Sequence, residues 1–107
     1  MGKLKYIGQL EEDSELFQTD NKIIIYGYGV NGKRIQEKLS VHKQNYLFCD
    51  KNFKELSNKK CEAEIISPED AINNYPNAEF VVSGKYCIEM FRILSQHNIK
   101  SIHMVFV

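Results

Sequence analysis

The sequence predicts an α/β domain over residues 22–107, with one mostly parallel, five-stranded sheet between two layers of helices. Three observations lead there. The short apolar runs, Ile23–Ile25 foremost, are continuous rather than alternating, as in strands buried on both faces. Segments with apolar residues at helical spacing separate those runs, the pattern of βαβ units. A glycine cluster, Gly27-x-Gly29-x-x-Gly32, stands directly between the first run and the first helical segment.

The elements follow in order. Residues 1–21 are a polar, acidic lead segment in which Leu4, Ile7, Leu10, Leu16 and Phe17 are spaced for a short amphipathic helix. The strand at Ile23–Ile25 breaks at Gly27; Ile35 and Leu39, four apart, then predict a helix over 31–42, with Asn31 as its capping residue. Tyr46–Cys49 is a second strand ending at Asp50, and the Lys/Asn-rich stretch 51–60 reads as a loop. A weaker strand over 63–66 precedes Ser67, which can cap, and Pro68, which suits a first helical position, so a short helix through Ile72 is expected. Phe80–Val82 is the fourth strand. Ile88, Phe91, Ile93 and Leu94 mark an amphipathic helix ending near Asn98, and 102–106 closes the sheet. Right-handed crossovers then favour the order 3-2-1-4-5. No repeat, low-complexity stretch or interior linker divides the 107 residues, so a single unit is expected.

Composition excludes several classes. Net charge is zero and the basic residues are scattered, which leaves no basic stripe for nucleic acid. The three cysteines, Cys49, Cys61 and Cys87, are odd in number and far apart, without metal-ligand spacing. No metal is expected, and a reducing cytoplasm fits. The amino terminus turns acidic within its first dozen residues and has no apolar core of a secretory signal. Residue 6 is Tyr6 where a myristoylation signal requires Ser or Thr, and no run of about 20 apolar residues offers a membrane span.

The glycine cluster carries the chemistry. Gly27 can form the tight turn, Gly29 removes a side chain where a pyrophosphate would approach, and Gly32 allows close packing of helix on strand. The first turn of the helix presents free N–H groups and a partial positive charge to an anion. Asp50, 23 residues after Gly27, stands where a carboxylate can accept from both hydroxyls of a ribose. Tyr28 and Val30 are placed to line the crevice, Tyr28 by stacking on a ligand or by narrowing the site. Asn31 completes the loop. Ser83 and Gly84 follow the fourth strand and should form the opposite wall. The alternative is that the glycines only shape a turn and Asp50 is a solvated loop residue.

Other motifs fail on one residue each. Gly27-x-x-x-x-Gly32-Lys33 nearly spells a P-loop, but Arg34 replaces the Ser or Thr that would hold magnesium. Methyltransferase loops favour an acid before the first glycine, where Tyr26 stands. Lys85-Tyr86 is not the Tyr-x-x-x-Lys pair of short-chain dehydrogenases, since Met90 occupies the lysine position. His42, His97 and His103 have no evident partner in the sequence and read as structural.

Through Ile23–Lys33, Phe48-Cys49-Asp50, Ile65–Glu69 and Val81–Gly84, the chain resembles the small Rossmann-like domains of bacterial surface-polysaccharide and nucleotide-sugar enzymes. Similar domains stand at the amino terminus of sugar acyltransferases, ahead of a left-handed β-helix. The resemblance implies a module that holds the nucleotide of a UDP-sugar or a dinucleotide such as NAD through Gly27, Gly29, Gly32 and Asp50. The hexapeptide repeats of the β-helix are absent from the chain. The function expected is thus a nucleotide-binding module that lacks a complete catalytic site and works beside a second catalytic domain or protein. Two alternatives stay open: a fragment of an NAD-dependent oxidoreductase, and an interaction domain with an empty crevice. ADP, UDP-sugar, NAD and CoA are not distinguished, although Asp50 favours NAD over NADP.

Overall fold

Six parallel strands form one sheet in the computed structural model of the chain, which describes residues 3–41, 45–57 and 64–107. They are β1 (Leu4–Gln9), β2 (Ile23–Tyr26), β3 (Tyr46–Cys49), β4 (Ile65–Ile66), β5 (Glu79–Val82) and β6 (Ile102–Phe106), in the order β1-β6-β5-β2-β3-β4. The helices are α1 (Ser14–Gln18), α2 (Val30–Val41), α3 (Phe53–Ser57), α4 (Pro68–Asn74) and α5 (Cys87–Gln96).

Ile23, Ile24 and Ile25 are fully buried because β2 is central and both sheet faces are covered. Ile24 faces a core completed by Ala71 and Ile72 of α4 and Leu94 of α5. Ile23 and Ile25 face the other core, with Leu16 of α1 and Ile35 and Leu39 of α2. Fully burying one such side chain contributes about 1.5–3 kcal/mol, so the isoleucine run anchors both layers. At α4, Ser67 Oγ accepts the Asp70 N–H at 3.0 Å and Pro68 opens the helix, as the local sequence predicts.

Two expectations require correction. The sheet has six strands, not five, because the lead segment supplies β1 as well as a helix; β1 pairs in parallel with β6, from Leu4 opposite Ile102 to Gln9 opposite Phe106. This edge strand is mostly exposed, so it lacks the apolar run that betrays a central strand. The stretch expected as a loop contains α3, whose Phe53 and Leu56 pack onto the α2-side core. His42, Cys61 and Ala63, the first residue of the expected third strand, lie outside the described residues. No helix among the described residues is long and apolar enough to cross a membrane.

Candidate functional site

The chain runs from β2 outward through β3 to β4, then returns across the sheet to β5. The connections leaving the carboxyl ends of the paired strands β2 and β5 therefore run in opposite directions, to β3 and to β6, the position at which open α/β sheets bind ligands. A cavity of about 400 Å³ opens there. On one side it is lined by Gly27, Gly29, Val30, Asn31 and Gly32, and on the other by Ser83 and Gly84, with Asp50 at the end of β3.

Each glycine has a distinct constraint. Gly27 has φ of +103°, a conformation other residues rarely adopt, and its N–H donates to the Cys49 carbonyl at 2.7 Å. A Cβ at Gly32 would fall well inside 3.0 Å of the Gly27 carbonyl oxygen, so α2 leaves the strand at a distance only glycine permits. A Cβ at Gly29 would meet nothing within 4 Å. Gly29 is thus open toward the cavity, with no steric demand from the fold itself. The Lys33 N–H donates to the Gly29 carbonyl at 3.0 Å as the first intrahelical bond. The N–H groups of Val30, Asn31 and Gly32 precede that bond and have no carbonyl of their own helix to meet.

Asp50 is tied to the loop. Its Oδ2 accepts the Tyr28 N–H at 2.9 Å and its Oδ1 accepts the Asn52 N–H at 2.8 Å. One lone pair on each oxygen is engaged, and the carboxylate holds the glycine loop against the end of β3. Across the crevice, Gly84 has φ of +81°, and a Cβ there would meet the Asn31 side-chain amide at 2.8 Å. Asn31 therefore bridges from α2 to the loop after β5.

Tyr28, expected to face a ligand, is not part of the cavity lining. Its ring packs edge-on against Phe48 with centroids 4.7 Å apart, and the Lys33 ammonium lies 5.0 Å from the Tyr28 ring. Strand alternation would put Tyr28 on the face of Tyr26, but β2 ends at Tyr26 and the turn at Gly27, with φ of +103°, breaks that alternation: Tyr28 joins the α2-side core, whereas Tyr26 joins the α5-side core and lines the cavity. Sequence reasoning missed the wall built by α5, from Glu89, Met90 and Ile93, and it missed Asn52 beside Asp50. The amphipathic spacing of α5 was a signal for this wall, because a helix packed at the switch point must show one flank to the crevice. Lys51 and Lys85 also belong to the cavity lining, beside the acidic residues Asp50 and Glu89.

Burial, with smaller contributions from Cys49, Asp50 and Glu89, pushes the Tyr26 phenol up to about 12. It stays protonated at neutral pH and can donate into the cavity. Burial also pushes the Cys49 thiol up, so its thiolate is unavailable for chemistry. Among the described residues no group of three or more His, Cys, Asp or Glu side chains is arranged to hold a metal. His103, read from sequence as lacking a partner, lies between two carboxylates remote from this cavity. No protein-family model matches the chain, and neither the curated proteins nor the solved structures compared with it match.

Proposed function

We propose that the chain is a Rossmann-like module that binds a nucleotide or dinucleotide at the carboxyl ends of β2 and β5. One observation carries the reading: Gly29, the first turn of α2 and the Asp50 carboxylate all line a single open cavity at the point where the strand order reverses. In this reading the phosphates lie over Gly29 and receive the N–H groups of α2. The remaining lone pairs of Asp50 accept the ribose hydroxyls, an arrangement that opposes a 2′-phosphate and favours NAD or a nucleotide-sugar over NADP. The module supplies binding, and a second domain or protein supplies catalysis, as in the polysaccharide-assembly enzymes that the sequence resembles.

Thermal unfolding in the presence of ADP, a UDP-sugar, NAD and CoA tests the proposal. A ligand that binds only the folded chain stabilises it by about 2.7 kcal/mol at one hundred times its Kd, a rise of roughly 11–22 °C for a domain of this size. Gly29→Val should erase the rise while leaving the unliganded Tm close to that of the parent. A chain that none of the four stabilises at millimolar concentration would not be a nucleotide module.

A further inference from the structure

The amino end of the sheet, remote from the cavity, holds a buried polar cluster that ligand binding does not use. His103, in β6, is fully buried, and each ring nitrogen faces a carboxylate: Nδ1 lies 2.5 Å from Asp13 Oδ2 and Nε2 lies 2.9 Å from Glu79 Oε1. The remaining carboxylate oxygens are engaged too. Asp13 Oδ1 accepts the Leu16 N–H at 3.2 Å as the cap of α1, and Glu79 Oε2 accepts the Asn21 side-chain amide at 3.1 Å. Ser101 donates its hydroxyl to Glu79 Oε1.

Ser101 Oγ is also 3.5 Å from His103 Nε2, which superficially resembles a serine nucleophile with its base. That role fails here, because Ser101 is buried, its hydroxyl proton points to Glu79, and none of these residues lines the cavity at the ends of β2 and β5. The hydrogen-bond accounting indicates something else. Ionised carboxylates only accept, and a neutral imidazole has one donor and one acceptor. Two donors toward two carboxylates require the imidazolium.

We propose that His103 is a proton-dependent latch whose imidazolium ties Asp13, and with it segment Leu10–Gln18, to the first residues of β5 and β6. Loss of its proton would leave two carboxylates across a ring able to satisfy only one of them, in a site sealed from water. Glu79 cannot withdraw, since β5 is paired on both edges. Asp13 can, because it joins a single 3-10 turn (Leu10–Glu12) to the five-residue α1. Its departure uncaps α1 and exposes Leu10 and Leu16, both now buried.

The other charged groups nearby are few. From β1, Lys5 acts on Glu79 while pairing with Glu15 at 3.0 Å, and Tyr6, opposite His103 in the register, feels Asp13 and Glu12. Against the lowering effect of burial, the hydrogen bonds to Asp13 and Glu79 raise the His103 pKa above its ordinary 6.5. The latch is therefore intact below pH 6.5 and opens as pH rises through the higher folded value.

Nuclear magnetic resonance of the whole chain tests this without a variant. The His103 ring nitrogens should both carry protons at pH 6, below the ordinary 6.5 from which the pKa is raised. As pH rises to 9, exchange of the Leu16 and Phe17 amides, corrected for intrinsic rates, should accelerate by roughly 10- to 100-fold, the loss of about one charge-assisted hydrogen bond. Amides of β2 and β3 should not change with them. In His103→Gln and Asp13→Asn, the same α1 amides should exchange fast throughout, with no pH step. A neutral His103 ring at pH 6, or α1 protection that is independent of pH in the parent, would overturn the proposal. So would α1 opening that occurs only together with β2 and β3.

Discussion

Replacing Gly32 by alanine probes the closest approach in the fold. The added Cβ would lie well inside 3.0 Å of the Gly27 carbonyl oxygen and 3.2 Å from its carbon, so backbone must yield, not a flexible side chain. Because α2 is pinned by buried Ile35 and Leu39, the strain cannot be relieved by tilting the helix away. Alanine gains about 1 kcal/mol over glycine in helix propensity, while overpacking of this kind costs about 1–3 kcal/mol and more when backbone must move. A net loss of roughly 2 kcal/mol is expected, about 8–16 °C in Tm for a domain of this size. Gly29→Ala is the control, with an open position and a cost of about 0.5–1 kcal/mol at a helix cap. Differential scanning calorimetry of both variants decides the matter. If Gly32→Ala melts within about 2 °C of Gly29→Ala, less than about 1 kcal/mol apart, the helix–strand approach is not limiting and the reasoning is refuted.

Asp50→Ala should act twice: it strands the Tyr28 and Asn52 N–H groups, costing about 1–3 kcal/mol in urea unfolding, and it removes discrimination between ribo and 2′-deoxy ligands by calorimetry. Persistent discrimination would move the ribose contact elsewhere. Folding stability should peak on the acid side of neutrality. His103, with its raised pKa, contributes fully below pH 6.5 and progressively less above it, and Glu79, with its lowered pKa, contributes fully above pH 4.5. Urea midpoints from pH 4 to 9 check the profile, and His103→Gln should flatten its alkaline limb. Between the two described thiols, native alkylation followed by mass spectrometry should label half-buried Cys87 and spare Cys49, whose thiol is buried and pushed up. Equal labelling of both would mean that the strand around Cys49 opens readily.

The central strands were readable because burial on both faces leaves a local mark: Ile23–Ile25 and Phe80–Val82 have no polar residue to interrupt them. The glycine loop was readable for a similar reason, since Gly27 and Gly32 are demanded by backbone geometry within one turn of chain. Strand β1 was not, because an exposed edge with Gly8 inside it carries no apolar signature. Nor was the direction of the Tyr28 ring, which depends on Phe48 from a neighbouring strand. The partners of His103 were invisible in principle. Asp13 stands 90 positions away, and nothing local to either residue announces the other.

The pairing of β1 with β6 also constrains the order of assembly. It joins Leu4 to Ile102, so among the described strands the first of the six to be synthesised pairs with the last. Loop-closure entropy makes such a contact slow to form. Strands β2 to β5 can consolidate while the arm that carries β1, with Leu10 and Leu16 uncovered, waits for β6 to be made. A nascent chain stalled before residue 102 would hold a docked centre and a loose, adhesive arm, which makes that interval the vulnerable one for aggregation.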